Sequence, residues 1–215
     1  MNAATERLQV AGPAGTIECA VDSPPAGSAV RGTAVLCHPH PLHGGTMDNK
    51  VVMTLARTFV QLGWRSVRFN FRGVGASAGH WDQGHGEVDD ALAVVAATRT
   101  AGAPLVLGGF SFGGYVATQA AARLAQAGEP QRAARLVLIA PAAGNFTLAA
   151  VPGDTLVVHG EADDVVPLSA VLAWARPQSL PITLVPGAGH FFHGQLTLLK
   201  QIVGAAFASA SSNLS

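Results

Sequence analysis

A serine set among glycines, an aspartate in a short polar loop and a histidine in a glycine-flanked loop follow one another along this chain. Together, residues of these types could carry out nucleophilic acyl transfer. Gly109-Phe110-Ser111-Phe112-Gly113 has the spacing G-x-S-x-G, after the strand-like PLVLGG and before the helical GGYVATQAAARLAQAG. In that context the serine rides a sharp strand-to-helix turn and is lifted above the sheet edge. So tight a turn needs small neighbours, and Gly109, Gly113 and Gly114 supply them. It also aims the first free N–H groups of the helix at the serine, which makes the Phe112 N–H the first donor to a developing oxyanion. The bland alternative is a glycine-rich turn that only packs closely.

A serine hydroxyl is a weak nucleophile until an imidazole takes its proton. Of the eight histidines, His190 lies in PGAGHFF directly after the strand-like ITLV, on a loop able to swing its ring over Ser111. His193 is the second choice. His159, which ends an apolar run in VVHGEADDVVP, reads as a buried, hydrogen-bonded ring. The acid should come from the loop after it, where Asp163 and Asp164 compete, and either could instead be an Asx-turn residue.

Acyl transfer needs a second oxyanion donor, expected after the first buried strand, where the chain reads Cys37-His38-Pro39-His40-Pro41-Leu42-His43-Gly44-Gly45. Neither proline has an N–H, so His40 and Leu42 are the backbone donors nearest the strand end. The cluster His38, His40, His43 could also be read as metal ligands, but an oxyanion loop explains the prolines and glycines better. No metal and no organic cofactor is expected.

The elements that must position these residues alternate between apolar runs and segments of 3.6-residue period, the pattern of a mostly parallel, doubly wound sheet with helices on both faces. RLQVAG and TIECAVD predict a hairpin, and GTAVLCHP, WRSVRFNF, PLVLGGF, ARLVLIAP, DTLVVHG and ITLV predict six more strands. Helices are expected over Val51–Leu62, stopped by Gly63, then over Glu87–Arg99, along GGYVATQAAARLAQAG to Gly128, along LSAVLAWA and over Gln195–Ala208. The sum is about eight strands and five or six helices. Ligands of such sheets sit beyond the carboxyl ends of the strands.

With 215 residues the chain fits a single domain over 1–215, its last residues, about 209–215, reading as a frayed tail. Lys plus Arg and Asp plus Glu number 13 each and do not segregate, so neither nucleic acid nor a membrane surface is an expected partner. A neutral small molecule is. Cys19 and Cys37 fall in separate strand-like runs and read as reduced thiols rather than a disulfide framework. The start MNAATERLQV lacks the apolar stretch of a secretory signal, which makes a cytoplasmic location the expectation. Oligomeric state leaves no trace.

Over nearly its whole length the chain resembles the α/β-hydrolase superfamily, and within it a group of short, lidless bacterial hydrolases related to dienelactone hydrolases. The resemblance is carried by CHPHPLHGGTMDNKVV, RFNFRGVGASAG, GGFSFGGY, HGEADDVVP and GAGHFFHG. It implies the α/β-hydrolase fold, Asp163 as the acid (through Gly160, Asp163, Val166 and Pro167), and the His40 N–H as second oxyanion donor, since Pro39 stands at the second position of a His-Gly element. It also implies that Asn70, Phe71, Arg72, Gly73, Gly75 and Ser77 form a structural turn. Dienelactone hydrolases carry cysteine where Ser111 stands, so their substrate is not carried over.

Only APAAGNFTLAAVPG joins ARLVLIAP to DTLVVHG, which leaves no room for a cap domain. The expected pocket is shallow, bounded by Leu42, Trp81, Phe112 and Phe191, and suited to short-acyl esters hydrolysed through an acyl-enzyme on Ser111. Two other classes use the same residues or cleft: thioester or polyester-oligomer hydrolysis, and a non-catalytic binding module.

Overall fold

The structure is a computed structural model that describes residues 5–128 and 131–208; the expected frayed tail lies outside them. Eight strands form one sheet: β1 (Glu6–Gly12), β2 (Gly15–Asp22), β3 (Thr33–Cys37), β4 (Arg65–Phe69), β5 (Leu105–Phe110), β6 (Arg135–Ile139), β7 (Leu156–Gly160) and β8 (Ile182–Val185). Their order is β1-β2-β4-β3-β5-β6-β7-β8, with β1 and β2 antiparallel and every pairing from β4 to β8 parallel. This is the doubly wound, mostly parallel sheet that the sequence pattern predicts, in the α/β-hydrolase arrangement that the resemblance implies. The helices are α1 (Lys50–Gln61), α2 (His85–Thr98), α3 (Phe112–Gln126), α4 (Leu168–Ala175) and α5 (Leu196–Ala208).

Strands read as continuous apolar runs because both sheet faces are covered. Along β3, Val35 and Cys37 enter the core under α2 and α3, whereas Ala34 and Leu36 enter the opposite core under α1 and α5. In the second core the Phe59 ring is fully buried edge-on to Phe207, 5.0 Å between centroids, which locks α1 to α5. Burying one such ring contributes roughly 1.5–3 kcal/mol. Helix α1 starts where the Asn49 side chain accepts the Val51 N–H (2.9 Å) and stops before Gly63 at φ 84°.

Among the described residues no helix is long and apolar enough to cross a membrane, and the uncharged stretch around Ser111 resolves into β5 and α3. Both cysteines are buried and free. Burial pushes the Cys19 thiol up to about 12, helped by Glu18, and raises Cys37 as well, so neither offers a thiolate near neutral pH.

The chain reverses its direction of travel across the sheet at β3, whose neighbours are β4 and β5. The crevice of such a sheet opens at this switch point. The loops after β3 and β5 carry His40 and Ser111 to it, and the loops after β7 and β8 bring Asp163 and His190 to the same edge.

The loop after β4 is the turn expected to be structural, and buried polar contacts anchor it. Arg72 Nη2 and Nε donate to the two Asp90 carboxylate oxygens (2.8 and 2.9 Å), and the Arg72 N–H adds a third bond at 3.1 Å. The Asp90 side chain is 1% exposed, while Asp82, at 3.7 Å from Arg72 Nη1, is 57% exposed. Asp90→Ala should therefore cost about 3–5 kcal/mol by removing the bidentate partner of a largely buried guanidinium, and Asp82→Ala less than about 1 kcal/mol. Urea denaturation of the two variants measures the contrast.

Candidate active site

Ser111 sits between the end of β5 and the first residue of α3, at φ 56° and ψ −118°, a conformation that residues with a side chain rarely adopt. Its backbone is held on both sides: the N–H donates to the Ile139 carbonyl (2.9 Å), and its own carbonyl accepts from Gly114 (2.9 Å) and Ala142 (3.1 Å). The glycines are sterically required, since a Cβ on Gly109 would collide with the Gly113 carbonyl and one on Gly113 with the Cys37 carbonyl. This is the elbow that the G-x-S-x-G spacing predicts.

His190 lies after β8 and is 3% exposed, its ring 4.9 Å from that of Phe110, the residue preceding Ser111. Its Nδ1 donates to Asp163 Oδ2 at 2.8 Å, with both side chains almost wholly out of solvent. A proton on Nδ1 leaves Nε2 of the neutral ring with its lone pair. Among the described residues neither that Nε2 nor the Ser111 hydroxyl makes a hydrogen bond.

Asp163 and Asp164 differ sharply in their surroundings. Asp163 Oδ1 accepts the Val165 and Val166 N–H groups (2.9 and 2.7 Å), so its carboxylate is fully engaged, whereas Asp164 is exposed. Burial pushes the Asp163 pKa up, but the His190 hydrogen bond, the Val166 N–H, the His190 charge and the Val165 N–H outweigh it. The carboxyl is held below its usual range and stays ionised. The acid loop is tied to the base loop through Glu161 N–H to the Val185 carbonyl (3.0 Å) and Ala162 N–H to the Ala188 carbonyl (2.9 Å).

Of the two backbone donors after β3, the Leu42 N–H is taken by His40 Nδ1 (3.2 Å), while the His40 and Phe112 N–H groups engage no acceptor among the described residues. The Leu42 side chain is 66% exposed. The Phe112 ring, expected to border the pocket, is instead buried at 1% exposure beneath Trp81 and Phe146, so what it presents is its N–H. The His40 ring stacks on His43 and tilts against Trp81, each 4.5 Å away. Burial, then the neighbouring His43, lowers the His40 pKa. His193 is exposed, its ring 5.7 Å from that of Phe191.

His38 has a role that the sequence reading missed. Its Nδ1 donates to the Pro39 carbonyl (2.6 Å) and its Nε2 accepts the Phe71 N–H (3.1 Å), so the ring rivets the loop after β3 to the loop after β4. Both nitrogens are occupied, which removes His38 from any ligand set. The placement of a histidine directly after a buried strand was the available signal. Its partner, 33 residues on, was not. His159 is the buried, hydrogen-bonded ring expected, with Nε2 donating to the Val166 carbonyl at 3.0 Å.

Burial lowers the His38 pKa from 6.5 to about 4, against the raising effect of the Pro39 carbonyl. The unfolded chain binds this proton first as pH falls, so stability drops between pH 6.5 and about 4, by about 3 kcal/mol from this ring. Asp163 acts in the same direction at lower pH: its stabilisation is present above the unfolded carboxyl pKa and is lost as pH falls through the depressed folded value. Equilibrium unfolding at pH 7 and pH 4.5 should show a shallower loss in His38→Gln than in the unsubstituted protein.

Residues 31–147 match the family model described as serine aminopeptidase, S33. A lidless α/β serine hydrolase from Xanthomonas campestris superposes with a TM-score of 0.84 at 41% identity, over 96% of this chain and 94% of that one. An α/β serine hydrolase homologue from Coxiella burnetii gives 0.79 at 39%, over 93% and 96%. An uncharacterised protein of Rickettsia prowazekii is 30% identical over 197 residues, 84% of this chain and 80% of that one.

Proposed function

The chain belongs to the family described as serine aminopeptidase, S33, within the α/β-hydrolase superfamily, and is a serine hydrolase of the α/β type; from this premise we propose that it hydrolyses small, short-acyl carboxylic esters. Ser111 attacks the ester carbonyl, His190 takes the hydroxyl proton on Nε2, and Asp163 orients the ring through Nδ1 and stabilises the imidazolium. The tetrahedral oxyanion receives the Phe112 and His40 N–H groups. His190 then returns the proton to the leaving alcohol, and water activated by the same ring releases the acid from Ser111. No metal or organic cofactor enters the scheme.

The observation that carries this reading is the buried Asp163–His190 hydrogen bond at 2.8 Å, on loops brought to the edge where Ser111 is forced into its strained turn. Two further features support it. The Phe112 and His40 N–H groups engage no acceptor among the described residues. The connection from β6 to β7 contains no helix, and Leu42 and Phe191 are exposed apolar side chains, which favours an open cleft over a tunnel for a long chain.

A fluorophosphonate probe should label the protein and fail to label Ser111→Ala; absence of labelling together with absence of p-nitrophenyl acetate turnover would instead indicate a binding module. Asp163→Asn should lower kcat by about 10⁴-fold, and Asp164→Asn should leave it within about twofold, since exposed substitutions away from special contacts are near neutral. Across p-nitrophenyl esters, kcat/KM should fall steeply from acetate and butyrate to octanoate. A preference for the long chain, or for thioesters over matched oxygen esters, would reassign the substrate class.

A further inference from the structure

Beneath the acid loop lies a second imidazole that the scheme above does not use. His159, the penultimate residue of β7, is wholly buried, and a core strand position of this kind is ordinarily served by an aliphatic side chain. Its Nδ1 is buried without a hydrogen-bond partner among the described residues, and leaving a buried polar atom unmet is costly to the fold. A ring retained against that cost points to a requirement at its other nitrogen.

That nitrogen, Nε2, donates to the Val166 carbonyl at 3.0 Å and lies 3.7 Å from Asp163 Oδ2. Val166 in turn gives its N–H to Asp163 Oδ1 at 2.7 Å. One residue is thus gripped at both its polar groups, by His159 below and by the catalytic carboxylate above. Pro167, which follows, stiffens the segment further by fixing its own φ.

We propose that His159 is a positioning residue for the acid-base pair: its Nε2–H fixes Val166, and through Val166 the Asp163 carboxylate and the tilt of the His190 ring. The inference rests on the hydrolase reading above and adds a fourth side chain to it. The titratable groups facing His159 are Asp163 and His190. Burial, the largest influence, lowers the His159 pKa and the His190 charge adds to it, against the raising effects of Asp163 and the Val166 carbonyl, so the ring is neutral and acts as a fixed donor. The Nε2–H also presents its positive end toward the Asp163 carboxylate without bonding it, which favours the ionised form.

The test compares two buried amides. Glutamine at this position carries its N–H where the His159 Nε2 stands and can still reach the Val166 carbonyl; asparagine is one carbon too short. His159→Asn should lower kcat, and the rate of Ser111 labelling by a fluorophosphonate, by about 10- to 100-fold with KM little changed, while His159→Gln restores most of both. In proton NMR the far-downfield signal of the His190 Nδ1–H should shift or vanish in His159→Asn and persist in His159→Gln. Equal impairment of the two variants, or a His159→Asn variant with unchanged kcat and an unchanged signal, overturns the proposal. The NMR comparison needs no turnover, so an unsubstituted protein that fails to react would refute the hydrolase reading while the signal still decides the role of His159.

Discussion

Everything at the carboxyl edge of this sheet is organised around one buried negative charge. An ionised carboxylate away from water is tolerated only when its lone pairs are met, and Asp163 meets them with two backbone N–H groups on one oxygen and an imidazole N–H on the other. The first pair closes the acid loop on itself, and the third bond draws in the loop after β8. A single charge therefore sets the shape of one loop, the place of another and the protonated nitrogen of His190. The hydrolytic chemistry proposed for Ser111 depends on that nitrogen being the one facing away from the serine.

On the other side of Ser111 it is an uncharged ring that joins the loops. The neutral His38 ring joins two loops through their backbones, and the loop after β4 is anchored in turn by Asn70, which bonds the Met47 N–H (2.9 Å) and Glu18 (2.7 Å), and by Ser77, which bonds the Asn70 carbonyl (2.7 Å). Side chains lock backbone to backbone, so the unengaged His40 and Phe112 N–H groups have a rigid frame. The motif around Asn70 to Ser77 touches no reacting atom. It fixes the wall against which the loop after β3 is built.

Much of this was legible before any coordinates. Strand and helix identities follow from short apolar runs against 3.6-residue periodicity, and β7, α4 and β8 emerge with nearly the expected limits because Gly and Pro bracket them. Ser111 was legible because its turn demands glycines on both sides, and His190 because it follows the last strand. What escaped was decided by backbone partners, which carry no side-chain identity. Asp163 differs from Asp164 by two peptide N–H groups, and His40 from Leu42 by whether a neighbouring ring nitrogen has already claimed the donor. The riveting role of His38 and the burial of the Phe112 ring depend on residues remote in the chain, beyond the range of local pattern.

The bare connection between β6 and β7 has a kinetic corollary. Enzymes that fold a flap over their reactants commonly wait on its reopening before the next cycle. Among the described residues this connection holds no helix to reopen, so on the chemistry proposed for Ser111 the bond-making steps would set the pace rather than a flap. The same nakedness keeps bulk solvent at the doorstep throughout. The acyl-serine of the proposed scheme would be short-lived in such surroundings, and competing alcohols or amines would have to outrun water to intercept it.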